Sequence, residues 1–180
     1  MVTHDNDITT FLIEPCCTQK QWPELRKQLG DGGTMSWEGY GDLSIAELLP
    51  VILANATEID MMLVAPSIPN RAAETLAYWM RRQLVTVDGK RNVLVLSRLT
   101  ILADFSEKRS PLASTWLKEN PYGKRLVLKN VQQNDTALLL PDIALYGPFN
   151  LTYGNHFTAT ITKNAKTIAE LKKAYADLCP

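Results

Sequence analysis

Histidine and cysteine are scarce in this 180-residue chain, which has two of the first and three of the second. With only His4 and His156 available, a zinc site is not expected, and Cys16, Cys17 and Cys179 form no C-x-x-C pair. Those counts argue against structural zinc and dithiol redox chemistry, and no metal or cofactor is expected. The cysteines read as reduced thiols of a cytoplasmic protein. No run of about 18 apolar residues occurs, so a membrane-spanning helix is not expected. The opening MVTHDNDITTFLIEP carries acids where an export signal needs bases, and its apolar run is short. The N-x-T tripeptides at Asn55, Asn134 and Asn150 are therefore read as chance matches. A phosphate loop is missing too: GDGG at Gly30 to Gly33 has neither the spacing nor the lysine of G-x-x-x-x-G-K-[ST]. Internal repeats, low-complexity tracts and linkers are absent.

What is present suits one globular domain over residues 1–180, with 46% hydrophobic and 21% charged residues. Net charge is zero but unevenly placed. Residues 1–80 carry 11 acids and 4 bases, and residues 81–129 carry 4 acids and 11 bases. Such asymmetry fits either a polyanionic partner or an acidic half facing a basic half. For the first reading the candidate nucleic-acid contacts are Arg81, Arg82, Lys90 and Arg91, with Arg98, Lys108, Arg109, Lys124 and Arg125 nearby in sequence. Trp79, Trp116 and Tyr122 interleave with them and could stack on bases. An overall pI near 6.7 argues against a dedicated DNA binder.

Hydrophobic periodicity points to an α/β fold. Strands are expected at Ile8 to Ile13 and Met35 to Tyr40, and a helix from Gln19 to Leu29. Ser44-x-x-Glu47 is a capping box opening a second helix to about Ala56, kinked at Pro50. Ile59 to Ala65 and Asn92 to Ser97 are nearly continuous apolar runs, as strands buried on both faces are. A helix from about Asn70 to Leu84 lies between them, making a βαβ unit. Leu99 to Asp104 reads as strand or loop. Ser110-Pro111 opens a helix to about Glu119, Asn120 to Gly123 is a turn, and Arg125 to Lys129 is an amphipathic strand leading to a hairpin. That hairpin joins Ala137 to Leu140 with Ile143 to Tyr146 across Pro141-Asp142. Phe157 to Thr162 alternates as a half-buried strand. A closing helix, capped by Asn164 or Thr167, sets Ile168, Leu171, Ala174, Tyr175 and Leu178 on one face. The expected fold is thus a mixed, largely parallel sheet flanked by helices, ending in a β-hairpin and closing helix.

This order of parts resembles one half of the phospholipase D-like fold, most clearly over residues 133–178 and more loosely over 44–97. In that superfamily the first hairpin strand begins H-x-K-x-x-x-x-D and the second ends G-[SG]-x-N. Here Gly147-Pro148-Phe149-Asn150-Leu151-Thr152 is similar to the second motif, and Asn155-His156 falls in the later N-x-E region. Spacing from Gly147 puts Gln133 at the family's histidine, Asp135 at its lysine and Leu140 at its aspartate. Anchoring on Asp142 instead puts Asp135 at the histidine and Ala137 at the lysine. Either way the nucleophilic histidine and the phosphate-balancing lysine are missing, and a carboxylate or amide cannot replace them near neutral pH.

The resemblance therefore implies a catalytically inactive member that acts as a binding or assembly module, with nucleic acid as one partner class. No catalytic residue is assigned. Gln133, Asp135, Asn150, Thr152, Asn155 and His156, with Asn134, line the cleft position and are the ligand-binding candidates. Because the family works with two motifs and this chain holds one half, a homodimer is implied. No membrane partner is expected, and no small ligand is identified. The enzymatic alternative is a homodimeric phosphodiesterase or nuclease using His156 with Lys129 or Arg125.

Overall fold

The fold is that of a computed structural model, which describes residues 2–5, 8–13, 29–30, 32–41, 59–80, 83–87, 90–94, 96–148, 151 and 154–178. Its elements are β1 (Val2–Asp5), β2 (Ile8–Ile13), β3 (Thr34–Gly41), β4 (Ile59–Ser67), α1 (Asn70–Trp79), β5 (Gln83–Val87), β6 (Lys90–Leu94) and β7 (Leu96–Asp104). They continue as α2 (Pro111–Glu119), a 3-10 turn (Gly123–Arg125), β8 (Leu126–Asn130), β9 (Thr136–Leu139), β10 (Ala144–Gly147), β11 (Gly154–Thr162) and α3 (Ala165–Asp177). The expected helices at 19–29 and 44–56, with the Pro50 kink, fall largely or wholly outside the described residues, as do Cys16, Cys17 and Cys179.

Nine strands form one mixed sheet in the order β1-β2-β3-β11-β10-β9-β4-β7-β8. Among the described residues parallel pairing is confined to β4–β7, β7–β8 and β2–β3. The strands between these groups pair antiparallel through the β9–β10 hairpin, so the sheet is less parallel than the apolar runs imply. The expected βαβ unit is present, but its second strand is Leu96–Asp104 and not residues 92–97. Leu96, Leu99, Ile101, Leu102 and Ala103 of β7 are all buried, whereas Arg98 is exposed. A half-buried strand tolerates a charge on its open side, so Ser97-Arg98 interrupts the apolar run without ending the strand. Residues 83–87 and 90–94 form a separate two-stranded ribbon in which Val87 pairs with Lys90. Only Asp88-Gly89 separates those strands, the dipeptide that most favours a two-residue hairpin. The expected helix over 70–84 accordingly stops at Trp79.

Along β4 and β7 side chains alternate between two faces. Met61, Leu63, Ala65, Leu99, Ile101 and Ala103 pack with Ala73 and Leu76 of α1 and Ala113 and Trp116 of α2 in the larger core. The opposite face, built on Val64, Leu102, Ala137, Leu139 and Ala144, packs against Ile168, Leu171 and Tyr175 of α3. Ala174 and Leu178, expected on the apolar face of that helix, are exposed. Asn164 is the cap: its side chain accepts a 3.1 Å hydrogen bond from the Thr167 backbone N–H, satisfying an otherwise orphaned donor. Pro111 starts α2 as expected, and Asn120 ends it in the left-handed region. The amphipathic strand expected over Arg125 to Lys129, ahead of the hairpin, is β8 at the sheet edge, with Arg125 in the preceding turn.

Candidate anion-binding site

The carboxyl ends of β4, β7 and β8, the end of β10 and the starts of β9 and β11 all meet at one edge of the sheet. Register fixes this, since Ser67 pairs with Asp104, Ala103 with Asn130 and Gly147 with Thr136. Ligands of open α/β sheets bind outside such an edge, and the cleft candidates do converge there. Half-buried Gln133 and exposed Asn134 and Asp135 lead into β9. Asn155 and His156 lie on the first residues of β11, within a register irregularity between Gly154 and Phe157. Asn150 and Thr152 are outside the described residues. Gly147 closes β10 at φ +147, and a Cβ there would meet the Thr158 carbonyl oxygen at 2.9 Å, so the glycine of the resembled motif is sterically required.

Polar groups at the β7 side of this edge are engaged with one another. Asp104 accepts a hydrogen bond from the Ser106 backbone N–H at 2.9 Å and lies 3.6 Å from the Arg109 guanidinium. The Ser106 hydrogen bonds, then Arg109, hold the Asp104 carboxyl below its ordinary acidity range. Buried Ser110 accepts from the Ile68 N–H at 2.9 Å and donates to the Asp104 carbonyl. Asn130 accepts from the Phe105 N–H at 3.0 Å, and Asn70 accepts from the Leu112 N–H at 3.1 Å. These bonds tie loops to strand ends, a structural task. Neither anchoring of the family motif finds a base here. Leu140 and Ala137 are buried apolar residues, and Asp142 lies exposed in the hairpin loop, at the far end from Gly147.

The pairings of His156 with Lys129 or Arg125 fail within one chain. Five strand positions separate β11 from β8, about 24 Å at the usual strand spacing. Arg125 is moreover engaged, donating to the carbonyls of Met80 and Leu96. Among the described residues no group of three or more potential metal ligands occurs.

Of the expected nucleic-acid contacts, Arg81 and Arg82 lie outside the described residues, and Lys90 and Arg91 sit at the turn end of the β5–β6 ribbon. Trp116 is no stacking platform. It is buried in the core, edge-on to Tyr122 with ring centroids 6.2 Å apart.

The sequence reading missed a groove on the α3 face, about 320 Å³ in volume. Cross-strand register builds its floor: Asp60 lies beside Arg98, Met62 beside Thr100, Thr100 in turn beside Val127, and Leu102 beside Lys129. Leu139 adds to the floor, and Lys172, Tyr175 and Ala176 of α3 form one wall. Three cations therefore face one carboxylate, and Asp60 already accepts a 2.7 Å hydrogen bond from the Ser97 hydroxyl. Among the described residues no salt bridge engages Arg98, Lys129 or Lys172. Burial first, then Asp135 and Tyr146, push the Tyr175 hydroxyl above its ordinary range, so at neutral pH it adds no negative charge. Such an arrangement can attract an anion electrostatically and give its apolar parts a dry floor.

No protein-family model and no curated protein matches the sequence. Two solved structures are similar in fold. One is TrmBL2, an archaeal chromatin protein whose structure is described as showing a novel mode of DNA binding (TM-score 0.48, 12% identity, covering 88% of this chain and 56% of that one). The other is polyphosphate kinase from Porphyromonas gingivalis (TM-score 0.49, 14% identity, covering 79% of this chain and 26% of that one). The chain thus spans little more than half of the first and about a quarter of the second. Likeness at this level concerns the fold alone. Among the described residues no helix is long and apolar enough to cross a membrane.

Proposed function

We propose that this chain is a catalytically inactive phospholipase D-like half-domain that serves as a binding module for a polyanion. The observation that carries the reading is the convergence of Arg98, Lys129 and Lys172, without carboxylate partners among the described residues, on one groove. The family's catalytic position supports it from the other side. Gln133 and Asp135, or Asp135 and Ala137, stand where a nucleophile and a charge-balancing lysine would be needed, and a carboxylate there repels phosphate. Pairing of two copies through the carboxyl edge is part of the proposal, because the resembled family completes its cleft with a second half.

The test combines light scattering, titration of a labelled oligonucleotide at low and high salt, and a hydrolysis assay on a simple phosphodiester. Expected are a mass of two chains, binding that weakens steeply with salt, and no turnover. Turnover that survives repurification would overturn the inactive reading and favour the homodimeric phosphodiesterase. Absence of any polyanion binding at low salt would overturn the binding reading, and a monomeric mass would remove the pairing.

A further inference from the structure

We infer that the groove on the α3 face is a binding site for single-stranded nucleic acid, with phosphates on Arg98, Lys129 and Lys172 and bases over the floor of Met62, Leu102, Val127 and Leu139. This rests on the polyanion reading above and narrows it to one ligand class and one site, distinct from the carboxyl edge.

Spacing argues for a chain over an isolated anion. Arg98 lies beside Asp60, while Lys129 pairs with Leu102, four residues further along β7. At the rise of a strand that separation is about 13 Å along the backbone, a spread of positive charge that successive phosphates of one strand match better than a single compact anion does. The floor argues for exposed bases. Met62 and Val127 are half-exposed, over buried Leu102 and Leu139. A duplex would present mainly phosphates and leave that floor uncovered. Tyr175 stands at the wall beside Lys172, one helical turn on, and supplies an aromatic surface next to a cation, the pairing that single-strand sites use. Backbone attraction with stacking implies modest sequence preference and a strong salt dependence.

The experiment titrates a labelled single-stranded oligonucleotide, the matching duplex and inorganic polyphosphate against the full chain and five variants. In the triple variant Arg98→Glu/Lys129→Glu/Lys172→Glu affinity should fall at least about tenfold, and the slope of log affinity against log salt should shrink by about two. Tyr175→Leu should weaken the single strand about tenfold and leave polyphosphate unchanged, while Tyr175→Phe should bind as the parent does. Lys118→Gln, exposed and away from the groove, should change neither. Thermal midpoints of the charge variants should match the parent. Parent binding that the triple variant retains would overturn the groove, and if Lys90→Glu/Arg91→Glu abolished it the polyanion reading would stand with the ribbon as its site. Duplex or polyphosphate binding as tight as the single strand, with Tyr175→Leu silent, would overturn the assignment of bases to the floor. If the parent bound none of the three, this inference and the broader reading would fall together.

Discussion

Neighbouring residues of the same strands have opposite fates on the two faces of the sheet. Leu63 and Ile101 are fully buried beneath α1 and α2, whereas Met62 and Thr100, one residue earlier in each strand, are only half-covered. Two helices joined to the sheet by short connections seal the first face, and their Ala73, Leu76, Ala113 and Trp116 fill it. Among the described residues a single helix covers the second, through Ile168, Leu171 and Tyr175, and leaves the part of β4, β7 and β8 near Arg98 and Val127 open beside it. Alternation with period two is thus enough to place a packed core and a ligand groove on one set of strands. Stability lives on the first face, and recognition is assigned to the second.

The largest expected effect comes from breaking the sealed face. Leu63→Ala should lower unfolding free energy by about 2–5 kcal/mol, the lost transfer energy plus a cavity. Met62→Ala, already half in solvent, should show well under half that loss in denaturant midpoint. Equal losses would mean the two faces are packed alike. Ser110→Ala comes next, at about 1–3 kcal/mol, because the Ile68 N–H would lose its acceptor in a buried place. Asn164→Ala should cost about 1 kcal/mol by removing the cap of α3. Hydrogen exchange in that variant should rise in α3 while α1 stays protected. Reversing charge at Arg98, Lys129 and Lys172 should move stability by no more than about 0.5 kcal/mol each, which is what separates the recognition face from the core.

The smallest expected effect is on acid stability. Hydrogen bonds from Ser106, then Arg109, lower the Asp104 pKa in the folded chain from its ordinary 3.8. Its stabilising contribution is therefore fully present above that value and fades as pH falls through the lower, folded-state value. Urea midpoints measured from about pH 6 to about pH 3 should fall less steeply for Asp104→Asn than for the parent. Parallel curves would show that the carboxylate is not favoured by folding.

Local chemistry was legible in the sequence wherever it governed an element. Pro111 starts its helix, Asn164 caps the last one, and Thr136–Leu139 and Ala144–Gly147 pair as the hairpin that the Pro141-Asp142 turn suggests. Failures came where the signal was tertiary. Asn92 to Asp104 is one β-rich run that the fold divides between the ribbon and β7, and Ser97-Arg98 looked like its break. Arg98, which falls between the two expected runs, lines the groove. Gln133, Asp135, Asn155 and His156 fall at one sheet edge because the hairpin register brings β9, β10 and β11 together. The groove was not legible, because Arg98, Lys129 and Lys172 come from β7, β8 and α3 and only parallel register with helix packing unites them. A signal did exist in hindsight: Arg98 and Lys129 are the charged positions of two alternating strands.

Hydrogen exchange with and without a saturating single-stranded oligonucleotide most directly tests the claim that recognition sits on the α3 face and not at the carboxyl edge. The account expects new protection in β8 and the last turns of α3, with residues 131–135 and 154–157 unchanged. Protection concentrated at 131–135 and 154–157, leaving β8 and α3 as they were, would contradict it and return the ligand to the carboxyl edge.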